Sequence, residues 1–427
     1  MAKLLTQTDV YAIINQMVED VTGQTAATRV TDTSSFVSAG ETLMSYGTEN
    51  VLNSLALLMG RIFVAARPYK GKFDLINAVS TGIYTHRMAK ISFYSKSAKP
   101  EGAWNTQLFT NLKEGFTNGQ NESSGTAQST KSMWEQNPAY PLEMNFAGSQ
   151  VYSDCMTFYE VQVQQALRDE GEFNELASGM LTQYNNDLEV QKETWRRGAV
   201  LNHIGAVIDL GSAMPGSAVN LTAAFNDFYS TSYTTAELQS TYFKEFLGFF
   251  VSQLKIYSRK MENYSSNYHW TPAKTDAAGN DLVLNRHTPR SEQRLFMYAP
   301  FFTMAESMVF PEIFNDEYLK PENYEGVDFW QFENLPAEIN VTPAIPDTVT
   351  TSATYGTQIK GDAVNLTFVL GVLFDRDALM TDVQFERAYT TPIEARKLYY
   401  STWMHYSFNV IDDLTEKSIV FYMADET

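Results

Sequence analysis

The chain has 427 residues, of which 44% are hydrophobic and 13% aromatic. That is enough to bury a large core in two or three domains, or in one discontinuous one. The formal net charge of −19 excludes a free-standing nucleic-acid binder that neutralises phosphates with a basic face. Cys155 is the single cysteine, which excludes an intrachain disulfide and a thiolate metal cluster and suits a reducing cytoplasm.

The opening "MAKLLTQTDVYAIINQMVEDV" has no apolar h-region and carries acids early, so no secretion leader is expected. No apolar run reaches the ~18 residues of a membrane-spanning helix. Residues 6–22 predict a helix with Val10, Ile13, Ile14, Met17 and Val21 on one stripe and Thr6 or Thr8 as cap. Residues 23–40 are polar and rich in Thr and Ser, a connector. A second helix is expected over 41–66, with Leu43, Leu52, Leu55, Leu58 and Ile62. From 83 to 95, "IYTHRMAKISFYS" alternates as a strand does.

The segment 100–141, centred on "TNGQNESSGTAQSTKS", is too long for a loop inside a compact domain. It reads as an extended β-arm reaching away from the body. Residues 142–165 are extended again. Phe173, Leu176, Met180, Tyr184, Leu188 and Trp195 then recur at helical spacing, predicting a helix over 173–204 of roughly 30 residues and about 45 Å. Glu193 and Arg197 stand at i,i+4 on it, as an ion pair would. Another amphipathic helix is expected over 235–262, on Phe243, Phe246, Leu247, Phe250, Leu254 and Tyr257.

After a polar loop come an expected strand at 294–302, a short helix at 303–315 and a strand near 338–343. "NLTFVLGVLF" (365–374) reads as a buried strand and "DRDALM" as the turn after it. "LYYSTWMHYSFNV" (398–410) alternates Tyr400, Thr402, Met404, Tyr406, Phe408 and Val410 against Ser401, Trp403, His405, Ser407 and Asn409, the pattern of a half-buried strand. With 418–423 it is expected to form the closing hairpin of a sheet.

Chemistry is hard to find. No phosphate-binding loop or dinucleotide fingerprint is present, and "GSAMPGSA" (211–218) lacks the strand–turn–helix setting of a nucleophile elbow. His86, His203, His269, His287 and His405 are scattered, without the clustering that zinc requires. Asp375 and Asp377 flank Arg376 at a strand end and could hold a divalent metal; capping of the following turn is the simpler role for both. Cys155 has no evident base and reads as a small buried residue. No catalytic, cofactor-binding or metal residue is expected.

The order of elements resembles the major capsid proteins of tailed bacteriophages, which have the HK97-type α+β fold. Three segments carry the resemblance: "ETLMSYGTENVLNSLALLMGRIFVAA" (41–66), similar to the segment joining arm to body in small short-tailed phages; "FNELASGMLTQYNNDLEVQKETWRRGAVLNH" (173–203), similar to a spine helix; and "NLTFVLGVLFDRDALMTDVQFERAYTTPIEARKLYYSTWMHYSFNV" (365–410), similar to the last axial strand and the peripheral strands. The resemblance covers most of the chain as topology and has no diagnostic motif. It implies an N-terminal arm with a helix leading into the body (1–66), an extended β-loop (67–145), a peripheral domain (146–205 and 381–427) with its spine helix at 173–204, and an axial domain (206–380). It also implies a virion shell subunit, folded in the host cytoplasm, that self-assembles as pentamers and hexamers around packaged double-stranded DNA without gripping its sequence, and that has no membrane partner.

The chain departs from some relatives. It stops just after its last strand, so no added immunoglobulin-like domain is expected, and residues 1–40 are short for a built-in scaffolding segment. A separate scaffolding protein and a portal are therefore expected as partners. Lys–Asn crosslinking is not carried over. The rival readings are an encapsulin-type nanocompartment shell, a glycan-binding surface protein rich in Tyr and Trp, and a metal-dependent glycosyltransferase built on Asp375 and Asp377.

Overall fold

The computed structural model describes residues 7–22, 30–32, 35–36, 38–39, 43, 71–79, 87–95, 139–147, 150–159, 170–275, 281–301, 303, 323–394 and 396–425. The helix at 41–66 apart from Leu43, the short helix at 303–315 apart from Thr303, and the arm between its two ends lie outside the described residues. The first helix, α1 (Gln7–Thr22), falls where its stripe predicts, with Ile14, Met17 and Val18 buried.

The long helix, α2 (Glu170–Leu210), has 41 residues and is about 60 Å long, against the 30 expected. The difference lies mainly at its C-terminal end. There Val200, Ile204, Ala206, Val207 and Leu210 are all buried, so the helix is apolar on several sides and its 3.6-residue rhythm fades from the sequence. Gly205 is needed at this point: a Cβ there would stand 2.7 Å from Cγ1 of Val341. The pair Glu193–Arg197 forms as expected, at 2.7 Å, and the guanidinium lies over the Phe329 ring, 3.7 Å from its centroid.

Two sheets flank this helix. The first is four-stranded and ordered β1 (Asn77–Val79), β13 (Leu379–Thr390), β14 (Tyr399–Asp412), β4 (Gln150–Tyr159), with β1 parallel to β13 and the other pairs antiparallel. The alternation read in 398–410 holds in part: Tyr400, Thr402, Met404, Tyr406 and Phe408 are buried as expected and Trp403 is exposed, but Ser401 and Ser407 on the opposite face are buried too and Val410 is only half-buried. Trp195 of α2 stacks on that buried face, with ring centroids 4.8 Å from Phe408 and 4.1 Å from Tyr152, and Tyr406 donates to Gln191. Leu188, on the same helix face, is only half-buried.

The second sheet is ordered β5 (Ala218–Asn220), β15 (Ser418–Met423), β12 (Phe368–Asp375), β6 (Gln293–Tyr298), β7 (Tyr324–Val327). It carries the main core together with α3 (Leu221–Tyr229) and α5 (Phe243–Glu262). Phe250, Phe296, Phe301, Phe374 and Phe421 are fully buried there, and Trp330 donates its indole N–H to the Val369 carbonyl at 2.9 Å.

This arrangement corrects three expectations. The last two strands form no hairpin: β14 belongs to the first sheet and β15 to the second, so the turn Asp413–Lys417 carries the chain from one to the other. The span 381–427 is accordingly divided between the sheets. The expected helix at 235–262 is two helices, α4 (Thr235–Gln239) and α5, broken at Ser240–Tyr242; a capping box between Thr234 and Glu237 starts the first. The expected strand at 365–374 likewise splits. Val364–Leu366 (β11) pairs with Ile339–Val341 (β8), the strand expected near 338–343, while β12 turns to β6 and β15.

Candidate functional site

Strands β2 (Arg87–Phe93) and β3 (Pro141–Ala147) pair antiparallel from Arg87↔Ala147 to Phe93↔Pro141. They flank the segment 100–141 read as an extended arm, and among the described residues the sheet they form has no third strand. Alternation sorts the side chains of β2. Ala89, Ile91 and Phe93 face outward, the last two about 60% exposed (62% and 59%), while Lys90, Ser92 and Tyr94 turn toward the body.

The inward contacts are mainly polar. Lys90 donates its ammonium to both Asp413 and Glu416 in the turn between the sheets. Arg286 donates to the Ser92 hydroxyl at 2.6 Å and to the Thr415 carbonyl at 3.2 Å, and its Nε lies 3.5 Å from Glu416. Tyr94 donates to the Pro272 carbonyl at 2.9 Å, and Lys274 to the Pro141 carbonyl at 2.9 Å. The apolar share is small: Tyr94, Leu282 and Leu284 form a cluster apart from the main core, with Tyr140 and Leu142 against it.

The turn is ordered by its own charges. Asp413 is fully buried and accepts from the Thr415 amide at 2.9 Å and hydroxyl at 2.7 Å. Lys417, also buried, donates to the Asn263 carbonyl at 2.6 Å and the Ser265 hydroxyl at 3.0 Å. Burial pushes the Lys417 ammonium down to about 8. Burial also opposes the charge on Lys90, but Asp413 and Glu416 outweigh it and raise its pKa. Glu416 is raised by burial, with Asp413 adding to the rise and Lys90 and Arg286 opposing it. Beside the turn lies an open cleft of about 720 Å³, lined among others by Phe93, Arg286, His287, Asp375 and Glu416.

The residues singled out in the sequence do not gather here as a reaction centre. Asp375 is a buried cap: it accepts from the Thr288 hydroxyl at 2.6 Å and from the Asp377 amide at 2.9 Å, and burial raises its pKa against those bonds. Asp377 is exposed and does not cap; it is the residue that Asp375 caps. Asp375→Ala should therefore cost about 1–3 kcal/mol, whereas Asp377→Asn should stay within about 0.5 kcal/mol. Urea denaturation of the two variants separates them, and equal losses would contradict the assignment.

Cys155 is exposed on β4, opposite Trp403, and not buried as expected. His203, expected near a helix end, lies inside α2, fully buried, with Nδ1 2.7 Å from Asp412. His269 is buried against the Leu284 carbonyl at 3.0 Å; burial, then the charges of Arg286 and Lys417, push it down to about 3, so it is neutral at pH 7. His287 is exposed, His405 half-buried, and His86 outside the described residues. Residues 211–218 form a short 3₁₀ turn leading into β5. Among the described residues no three His, Cys, Asp or Glu side chains are placed to hold a metal.

The residues that do converge, Lys90, Arg286, Asp413 and Glu416, are missed by sequence reasoning because a charged run in a turn reads as solvated. The available signal is Lys90 in the inward register of an alternating strand.

No family model and no curated protein matches this sequence. Among solved structures the chain is similar to one in the capsid structure of Staphylococcus phage Andhra, with a TM-score of 0.51 and 12% identity over 84% of this chain and 85% of that one. Weaker likenesses are to the structure of the head fiber and inner core protein of native bacteriophage P68 (TM-score 0.46, 8% identity, 84% and 86% covered) and to the capsid structure of the Cyanophage P-SCSP1u (TM-score 0.41, 12% identity, 84% and 90% covered). The first likeness establishes the fold as α+β of the HK97 type.

Proposed function

We propose, from the fold shared with a phage capsid chain over 84% of the present one, that this protein is a major capsid subunit that builds the shell of a tailed bacteriophage. That likeness is the observation that carries the reading. The hairpin supports it: a two-stranded stem fixed to the body, with an outward apolar face at Ile91 and Phe93, suits an arm that meets a second copy of the chain. In this reading α2 is the spine of the peripheral domain, the four-stranded sheet lies against it, and the five-stranded sheet is axial.

Copies associate as pentamers and hexamers into an icosahedral shell, with a separate scaffolding protein and a portal as partners, after folding in the host cytoplasm. The role is structural and not enzymatic. The net charge of −19 suits a wall along which packaged double-stranded DNA slides, because it repels phosphate. DNA is then contained and not bound.

The arm supplies a test. Trp104, Phe109, Leu112, Phe116 and Trp134 lie outside the described residues and, in this reading, anchor on a neighbouring copy. Trypsin is expected to cut at Lys113 and Lys131 in free chains and to spare these sites in assembled particles. Equal cleavage rates in the two states would remove the arm from the interface and weaken the capsid reading.

A further inference from the structure

The contact that fastens the hairpin stem to the body holds more than an ion pair requires. The Lys90 ammonium touches two carboxylates at once, Asp413 and Glu416. The Asp413 side chain is fully closed to water, and those of Lys90 and Glu416 largely so, at 19% and 11% exposed. The two oxygens of Asp413 are used differently. Oδ2 meets the Lys90 nitrogen, while Oδ1 accepts from the Thr415 amide at 2.9 Å and the Thr415 hydroxyl at 2.7 Å. Two neutral donors on one oxygen polarise the carboxyl carbon. They also stand where an oxyanion forms when a nucleophile adds to that carbon.

We propose that Lys90 and Asp413 condense to an amide, a covalent staple within one chain that ties the stem to the turn between the two sheets. The bond formed is Nζ–Cγ and the bond broken is Cγ–Oδ2. One ammonium proton first passes to Oδ2, so that a neutral amine faces a neutral acid. The amine adds to Cγ, the Thr415 donors hold the charge on Oδ1, and Glu416 takes a second proton from the nitrogen. Glu416 then gives that proton to Oδ2, which leaves as water. One N–H stays on the amide, Glu416 is again a carboxylate, and no oxidant, reductant or other co-reactant is consumed. The bond forms in the single chain, whether or not copies assemble.

The neighbouring groups fit these parts. Burial opposes the charge on Lys90, but Asp413 and Glu416 outweigh it, so the ammonium is the resting form and the reactive neutral pair a minor one. Condensation is therefore slow. Proximity favours it, because groups held in contact react as if at very high concentration, and the water that would reverse it is largely excluded. Burial raises Glu416, with Lys90 and Arg286 opposing the rise, which suits a group that accepts a proton and returns it. Lys417 turns its ammonium to Met261, Asn263 and Ser265 and so is not the nucleophile. Beside the staple, the only apolar cluster at the stem is the small one of Tyr94, Leu282 and Leu284, and an element with few apolar contacts otherwise opens more easily than the core.

Intact-mass spectrometry of the full-length chain, denatured after prolonged incubation in the folded state, tests this. The wild type is expected to be lighter than its sequence by the mass of one water. Protease digestion should place the deficit in a branched peptide that joins the Lys90 and Asp413 segments. Asp413→Asn should reach the same final mass as the stapled wild type, because it releases ammonia instead of water. Lys90→Arg and Asp413→Ala should keep their full sequence masses. Glu416→Gln should link about a hundredfold more slowly, with circular dichroism to check that it folds. A folded wild type at its full sequence mass, a deficit that persists in Lys90→Arg, a branch point elsewhere, or linking at the wild-type rate in Glu416→Gln would each overturn the proposal.

Discussion

Gly371→Val is expected to leave the chain insoluble or grossly destabilised. Gly371 sits where β12 bulges against β15 and pairs with Met297 of β6. A Cβ built there falls 2.6 Å from the carbonyl oxygen of Phe296 and 3.1 Å from Met297 Cγ. The first of these neighbours is backbone in the middle of a five-stranded sheet, so it cannot swing aside. Overpacking a core costs about 1–3 kcal/mol when side chains can adjust, and more when they cannot. A branched residue in this position should fall in the second class. Soluble yield and the urea midpoint are the readouts; a variant within the error of the wild type would mean that β12 and β6 do not approach as described.

Trp195→Ala should produce the other large loss. The indole lies among Tyr152, Tyr406 and Phe408 and is the main aromatic tie between α2 and the four-stranded sheet. Truncating a core Trp costs about 3–5 kcal/mol, and this half-buried one belongs at about 3. Leu188→Asp, on the same face but half-buried, should cost less, since a carboxylate there retains some water. Thermal denaturation of the two variants gives the order. A larger loss for Leu188→Asp would shift the helix–sheet contact toward the N-terminal end of α2.

The elements that were legible in the sequence are those with one apolar face turned to the core. Tyr400, Thr402, Met404, Tyr406 and Phe408 recur at period two because that side of β14 meets Trp195 and Gln191, although Ser401 and Ser407 behind it are buried as well, and Phe246, Leu247, Phe250 and Leu254 recur because one side of α5 meets the sheet. Where burial surrounds an element the pattern disappears, which is why α2 reads as stopping at 204 when it reaches Leu210.

The strand pairing failed for another reason. Two alternating strands in succession suggest a hairpin, and "IDDLTEK" between them looks like an exposed turn. Yet Asp413, Glu416 and Lys417 are buried, each held by a partner far away in sequence, and those partners are what let the chain cross to the second sheet. Capping was legible in kind and misassigned in place, since both aspartates qualify by residue type and only Asp375 is turned inward on the strand. The clasp around Lys90 depends wholly on tertiary contacts and leaves no local mark beyond the alternation of β2.

Electron microscopy of the expressed chain, alone and together with the proteins encoded beside it, tests the central claim most directly. A capsid subunit should give closed shells of uniform diameter whose surface resolves into five-fold and six-fold clusters, with α2 of each copy fitting the density. Single chains under every combination, at concentrations where the protein remains folded and soluble, would contradict it.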